Sequence, residues 1–164
     1  MNTSSQPFQQ SYCFLSCDWG TSSFRLRLMD ARSNKVICET KKDIGVKSVF
    51  LQSRSSDQGS RDTFFESFLD AQCNQLLDEA GFSDNTITMM LSGMTTSSIG
   101  WVEVPYARVP FPLNGAQSVI LGREIKSTTG RRIQCQLISG IQTGTEMMRG
   151  EETELMGVFS LEKY

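Results

Sequence analysis

The opening of the chain constrains its fold most. Tyr12 to Cys17 is an apolar run that breaks at Asp18-Trp19-Gly20. Phe24, Leu26 and Leu28 then alternate with Arg25, Arg27 and Met29, the two-residue period of a strand with one buried face. After the turn residues Asp30 to Asn34, Val36, Cys38 and Thr40 alternate again. Three strands in succession, joined by short turns, predict an antiparallel meander.

The rest of the chain alternates between helix and strand patterns. Gln52 to Ser60 is polar and serine-rich and reads as a mobile loop. Asp62 is placed to cap a helix whose apolar stripe includes Phe64, Phe65, Phe68, Leu69, Leu76 and Leu77, and Gly81 fits its left-handed stop. Thr86 to Leu91 reads as a buried strand ending at Ser92-Gly93. Asn114 to Lys126 reads as a helix with Ala116, Val119, Ile120 and Arg123 on one side. Ile133, Cys135 and Leu137 mark another strand, and a last helix starts near Gly150-Glu151 and runs towards Phe159. The order β, β, β, α, β, α, β, α predicts an α/β domain, a mixed sheet with helices packed on it.

The chain's 164 residues suffice for one packed domain, here residues 12–160, with 1–11 read as a disordered tail. Net charge is -2 and no stretch concentrates the basic residues, which argues against a nucleic-acid partner. The apolar runs fall short of the roughly 20 residues that span a bilayer. The polar N-terminus lacks a signal-peptide pattern, so a cytoplasmic location is expected. Five scattered cysteines, Cys13, Cys17, Cys38, Cys73 and Cys135, read as reduced core residues rather than disulfides or metal ligands. Histidine is absent, which removes histidine triads, bases and metal ligands; acid–base chemistry must use a carboxylate, Lys, Tyr or Cys.

Three segments could carry chemistry. In Asp18-Trp19-Gly20-Thr21-Ser22-Ser23, Gly20 permits a tight turn and close approach of an anion, while the hydroxyls and successive amides can form a nest; the same residues also suit a plain hairpin turn. Ser92 to Trp101 follows a buried strand, where open α/β sheets bind ligands. Its run of hydroxyls with an indole suits a polyhydroxylated ligand, or is an ordinary polar loop with Trp101 folded onto the core. In Met147 to Thr153, the Glu151-Glu152 pair either caps a helix or supplies a carboxylate that deprotonates a substrate hydroxyl. Neither a Walker loop nor a dinucleotide fingerprint occurs.

Taken together the segments resemble one family. Asp18 to Arg25 is similar to the first phosphate loop of the sugar kinase/Hsp70/actin superfamily, and more narrowly to the opening of the 2-dehydro-3-deoxygalactonokinases. Ser92-Gly93-Met94 with Gly100-Trp101-Val102-Glu103-Val104-Pro105-Tyr106, and Met148 to Leu155, resemble that family's later motifs in the same order. The resemblance implies a ribonuclease-H-like domain and phosphoryl transfer from ATP to the 6-hydroxyl of 2-dehydro-3-deoxy-galactonate. It implies that Asp18 organises Mg2+, that Gly20, Thr21, Ser22, Ser23 and Arg25 hold the nucleotide phosphate, and that Ser92, Gly93, Met94, Thr95, Gly100 and Trp101 hold the sugar acid. Glu151 stands where related kinases place their base. The Thr95 to Ser98 cluster departs from the family's commoner Gly-Ser-Arg-Gln run.

Kinases of that superfamily bind nucleotide between two domains, so a second phosphate loop is expected beyond Tyr164, in this or a partner chain. Because phosphoryl transfer depends on clamping the phosphate from all sides, this portion alone is expected to be a poor catalyst. A non-catalytic sugar-acid-binding module and a self-associating remnant, dimerising through an exposed apolar face, are the alternative expectations.

Overall fold

The computed structural model describes residues 12–56 and 59–161; the tail expected over 1–11 lies outside them. In chain order the elements are β1 (Cys13–Trp19), β2 (Phe24–Asp30), β3 (Lys35–Lys42), α1 (Val46–Ser55), α2 (Arg61–Glu79), β4 (Thr86–Gly93), β5 (Ala107–Arg108), β6 (Ile120–Lys126), β7 (Arg132–Ile138), β8 (Ile141–Gln142), β9 (Met147–Met148) and α3 (Glu151–Leu161).

The meander forms as predicted: β1 pairs antiparallel with β2, and β2 with β3. β4 lies on the other side of β1 and runs parallel to it, β7 runs parallel to β4, and β6 closes the edge antiparallel to β7. The result is a mixed six-stranded sheet in the order β3-β2-β1-β4-β7-β6. Alternation decides which face is buried. Leu15, Cys17 and Trp19 of β1 and Phe24, Leu26 and Leu28 of β2 are all at most 1% exposed. Phe65, Leu69, Cys73, Leu76 and Leu77 of α2 enter the same core. Burying each large side chain contributes about 1.5–3 kcal/mol. Trp19 packs between Phe24, Phe65 and Phe68, with ring centroids 4.8–5.3 Å away, and its indole N–H donates to Ile44 O at 3.0 Å.

Four expectations are corrected. Gln52 to Ser55 is the last turn of α1 rather than loop; Ser53 and Ser55 donate back to the carbonyls of Phe50, Leu51 and Gln52, so these serines end a helix instead of preventing one. Ser60, not Asp62, caps α2, its hydroxyl accepting from Thr63 N at 3.3 Å, while Asp62 pairs with Arg123 at 3.1 Å. The stop is as predicted: Gly81 has φ +65° and Phe82 N reaches back to Leu77 O. Asn114 to Lys126 is not a helix. Asn114 Oδ1 accepts from Ala116 N, Gly115 turns with φ +73°, and 120–126 becomes strand because β7 offers a free edge. The predicted order also lacked a small second sheet, β5-β8-β9.

Candidate functional site

Because β1 and β4 are parallel, they end at the same edge, with Asp18 beside Ser92 and Trp19 beside Gly93. The loop from Gly20 to Ser23 turns the chain into β2, Gly20 N donating to Ser23 O at 2.9 Å. α1 starts against this loop: Val46 N donates to Gly20 O (3.0 Å) and Lys47 N to Thr21 O (3.3 Å). In a trans peptide C=O and N–H point oppositely, so the amides of Thr21 and Ser22 are directed away from α1. The exposed side chains of Thr21, Ser22 and Ser23 share this loop. The glycine that makes the arrangement possible is Gly45, where a Cβ would collide with the Thr21–Ser22 peptide. At Gly20, read as permitting a tight turn and the close approach of an anion, a Cβ would meet only Ser23 atoms at 3.6–3.7 Å.

The second segment leaves β4 at Gly93, whose φ is +89° and whose Cβ would lie 2.6 Å from Trp19 O. The short 3-10 turn Met94–Thr96 follows. Two of its hydroxyls bond to backbone: Ser97 Oγ donates to Met94 O at 2.7 Å and Thr96 Oγ1 to Ile138 O of β7 at 3.2 Å. Thr95 and Trp101 are wholly buried, Trp101 in the core, and Gly100 packs on the carbonyls of Met94 and Thr95. Thr95, Gly100 and Trp101, expected to face a ligand, are thus buried, and Thr95 Oγ1 and Trp101 Nε1 have no hydrogen-bond partner among the described residues. Ser92 and Met94 remain half-buried at the edge.

The third segment returns to the same place. Gly150, at φ +104°, comes so near that its Cβ would sit 3.4 Å from Gly93 Cα. Glu151 is exposed, and its Oε2 accepts from Arg149 N at 3.1 Å. Glu152 is 3% exposed, burial pushes its carboxyl above the ordinary range, and its Oε2 has no partner among the described residues. A cavity of about 360 Å3 opens here, lined by Met94, Tyr106, Met147, Met148, Arg149 and Glu151. A larger one, about 490 Å3, is lined by Arg108, Val109 and the Gln142–Met147 hairpin and touches neither the Asp18–Ser23 loop nor the Ser92–Trp101 segment. The sequence named the Glu151-Glu152 pair but assigned no role to Arg149 or Tyr106.

Asp18 and Arg25 oppose each other across β1 and β2, on the face turned away from the core. Arg25 Nε lies 4.0 Å from Glu39, which also pairs with Arg27 and Lys41. Among the described residues no group of three acidic or cysteine side chains could hold a metal. Asp18 supplies a single carboxylate, which fits a cation that takes its remaining ligands from phosphate and water. No helix among the described residues is long and apolar enough to cross a membrane.

A mixed sheet with three loops gathered over the ends of two parallel strands defines an α/β domain, and the family match places it in a sugar-kinase family. Residues 18–164 match the model of the 2-keto-3-deoxy-galactonokinase family, and the chain belongs to that family. A candidate 2-dehydro-3-deoxygalactonokinase from Sinorhizobium meliloti has a similar solved structure, with TM-score 0.66 and 22% identity over 90% of this chain. The chain spans 43% of that protein's length. A reductive activator for corrinoid,iron-sulfur protein aligns over 51% of this chain and 15% of its own at TM-score 0.39, with 22% identity, too slight a likeness to bear on the fold. No curated protein matches.

Proposed function

We propose that this chain forms the phosphate-loop and sugar-acid-binding half of an ATP-dependent 2-dehydro-3-deoxy-galactonate 6-kinase acting in the cytoplasm. The observation that carries the reading is the meeting of three segments distant in sequence: Trp19 O, Gly93 and Gly150 lie against one another at a single sheet edge. The strand order β3-β2-β1-β4-β7, with β1 parallel to β4, supports a ribonuclease-H-like domain of the superfamily's kind.

In this reading the amides of Thr21 and Ser22, with the hydroxyls of Thr21, Ser22 and Ser23, receive the transferring phosphate. Asp18 holds Mg2+ through water, and the metal supplies charge neutralisation at the phosphate oxygens. Ser92 and Met94 line the acceptor's side. Glu151 takes the proton from the attacking hydroxyl, while buried Glu152 fixes the start of α3. Arg25, on the outer face with Asp18, lends positive charge near the phosphates. The adenosine site falls to a further domain, in the same or a second chain.

The test combines this chain with the remaining kinase half, ATP, Mg2+ and 2-keto-3-deoxy sugar acids. Phosphorylated sugar acid that disappears in D18N supports the proposal, and no product from any acceptor refutes it. The observation favouring the self-associating alternative is α3, which exposes Leu155, Val158 and Phe159.

A further inference from the structure

We infer that Arg149 is the residue that receives the carboxylate of the sugar acid, which rests on the proposed acceptor class. Its guanidinium is half-buried and locked. Nε donates to Tyr106 Oη at 3.0 Å, one terminal nitrogen donates to Thr96 Oγ1, and the other reaches Val104 O at 3.4 Å. Thr96 is itself fully buried and anchored to Ile138 O, and the Tyr106 ring stacks 4.0 Å from the guanidinium carbon.

All three acceptors are neutral. Among the described residues no carboxylate pairs with this guanidinium, whereas Arg25, Arg27, Lys41, Arg123 and Arg131 each lie within 4.0 Å of one. A partly desolvated positive charge without a counter-ion is costly unless an anion arrives to pair with it. A guanidinium has five N–H groups, so the three bonds leave one on each terminal nitrogen, a fork that fits a carboxylate.

The surroundings select which anion. The 360 Å3 cavity beside Arg149 is walled by Met94, Met147, Met148 and Tyr106, suited to the carbon chain of an organic acid. A bare phosphate gains little from thioethers, and the open amides lie instead at the Thr21–Ser22 loop. Glu151, the other charged group on the cavity, is turned onto the Arg149 backbone amide. At Gly140 a Cβ would collide with Met148 O and sit 2.6 Å from Arg149 Cγ and 3.0 Å from Tyr106 Cε1, so a bare α-carbon lets the Met148 backbone and the Arg149 stem pack against this loop.

Calorimetry on the full chain tests this with four probes: 2-keto-3-deoxy-galactonate, its neutral primary amide, glycerate and inorganic phosphate. R149M should weaken the sugar acid about 10- to 100-fold, the worth of a charge-assisted pair, and leave the amide within about twofold. R149K, keeping charge without the fork, should fall between. Equal weakening of acid and amide would mean a structural role and overturn the inference, as would unchanged acid affinity or competition by phosphate. If the wild-type chain binds glycerate through Arg149 but no 2-keto-3-deoxy acid, the acceptor proposal fails and Arg149 is a site for the carboxylate of another organic acid. If it binds neither acid, both fail.

Discussion

Replacing Gly45 with alanine tests whether α1 clamps the phosphate loop. Gly45 has φ -87°, which alanine adopts freely, so any cost must come from contact rather than backbone strain. The new methyl would collide with Thr21 O and Ser22 N, which are backbone atoms and cannot rotate away. Forcing such a group into a packed site costs about 1–3 kcal/mol. Separating α1 from the loop also weakens two hydrogen bonds, Val46 N to Gly20 O at 3.0 Å and Lys47 N to Thr21 O at 3.3 Å, at about 0.5–1.5 kcal/mol each. Together these amount to about 2–6 kcal/mol, a large part of the roughly 5–15 kcal/mol that holds a domain folded. At about 2–4 °C per kcal/mol, the melting temperature should fall by about 5–20 °C. Urea unfolding of G45A is compared with G20A, whose methyl meets only Ser23 atoms at 3.6–3.7 Å, and G144A, whose methyl meets nothing within 4 Å. Both controls should stay within about 0.5–1 kcal/mol of wild type. A G45A protein as stable as G20A would refute the clamp.

Other perturbations follow from named contacts. Burial raises the Asp70 carboxyl, but hydrogen bonds from Ser127, Thr128 and Asn74 outweigh it and hold the group below its ordinary value. Its contribution is therefore present above the unfolded pKa of about 3.9 and lost as pH falls through the folded value, and urea titrations should show D70N flattening that acid limb. Glu152 has the opposite sign: burial raises its carboxyl, so ionisation opposes folding at neutral pH, and E152Q should raise the pH 7 urea midpoint without raising it at pH 3. Burial pushes the Cys17 and Cys73 thiols well up and Cys135 to about 12, so a thiol reagent at pH 8 should modify these three only after denaturant is added. Leu155, Val158 and Phe159 lie one turn apart on α3 and are 44–51% exposed, so sedimentation should show association that V158D abolishes; a monomer at every concentration would refute it.

Much of the fold was legible where one face alone is buried. β1, β2 and β7 alternate because α2 covers one side of the sheet, and the two-residue period survives in the sequence. α1 was not, because only Val46 and Val49 are buried and the rest of its length is polar. Asn114 to Lys126 carried a helical spacing of apolar residues by coincidence, and a free sheet edge outweighed it. The site was legible in its segments but not in its pointing. A hydroxyl-rich loop looks the same whether its oxygens face a ligand or, like Ser97 and Thr96, backbone carbonyls of the loop and of β7.

What brings the segments together is the parallel pairing of β1 and β4. Parallel neighbours cannot be joined by a tight turn, so the chain must cross over through β2, β3 and two helices before β4 returns beside β1. That places Ser92 against Asp18 although Ser92 Oγ and Cys17 O, 3.5 Å apart, are 75 residues apart in sequence. Three backbones then converge on one strand end, with a glycine at each contact. Gly45 meets the loop after β1, Gly93 meets Trp19, and Gly150 meets Gly93. Alanine at the Gly45 or Gly93 seam would separate two segments while leaving every polar group present. At Gly150, where a Cβ would meet Gly93 Cα at an ordinary 3.4 Å, it would act through the strained φ of +104°. Such variants would therefore lose ligand binding through geometry, whereas R149M would lose it through charge, and the neutral amide separates the two: it should fail with the seam variants and survive with R149M.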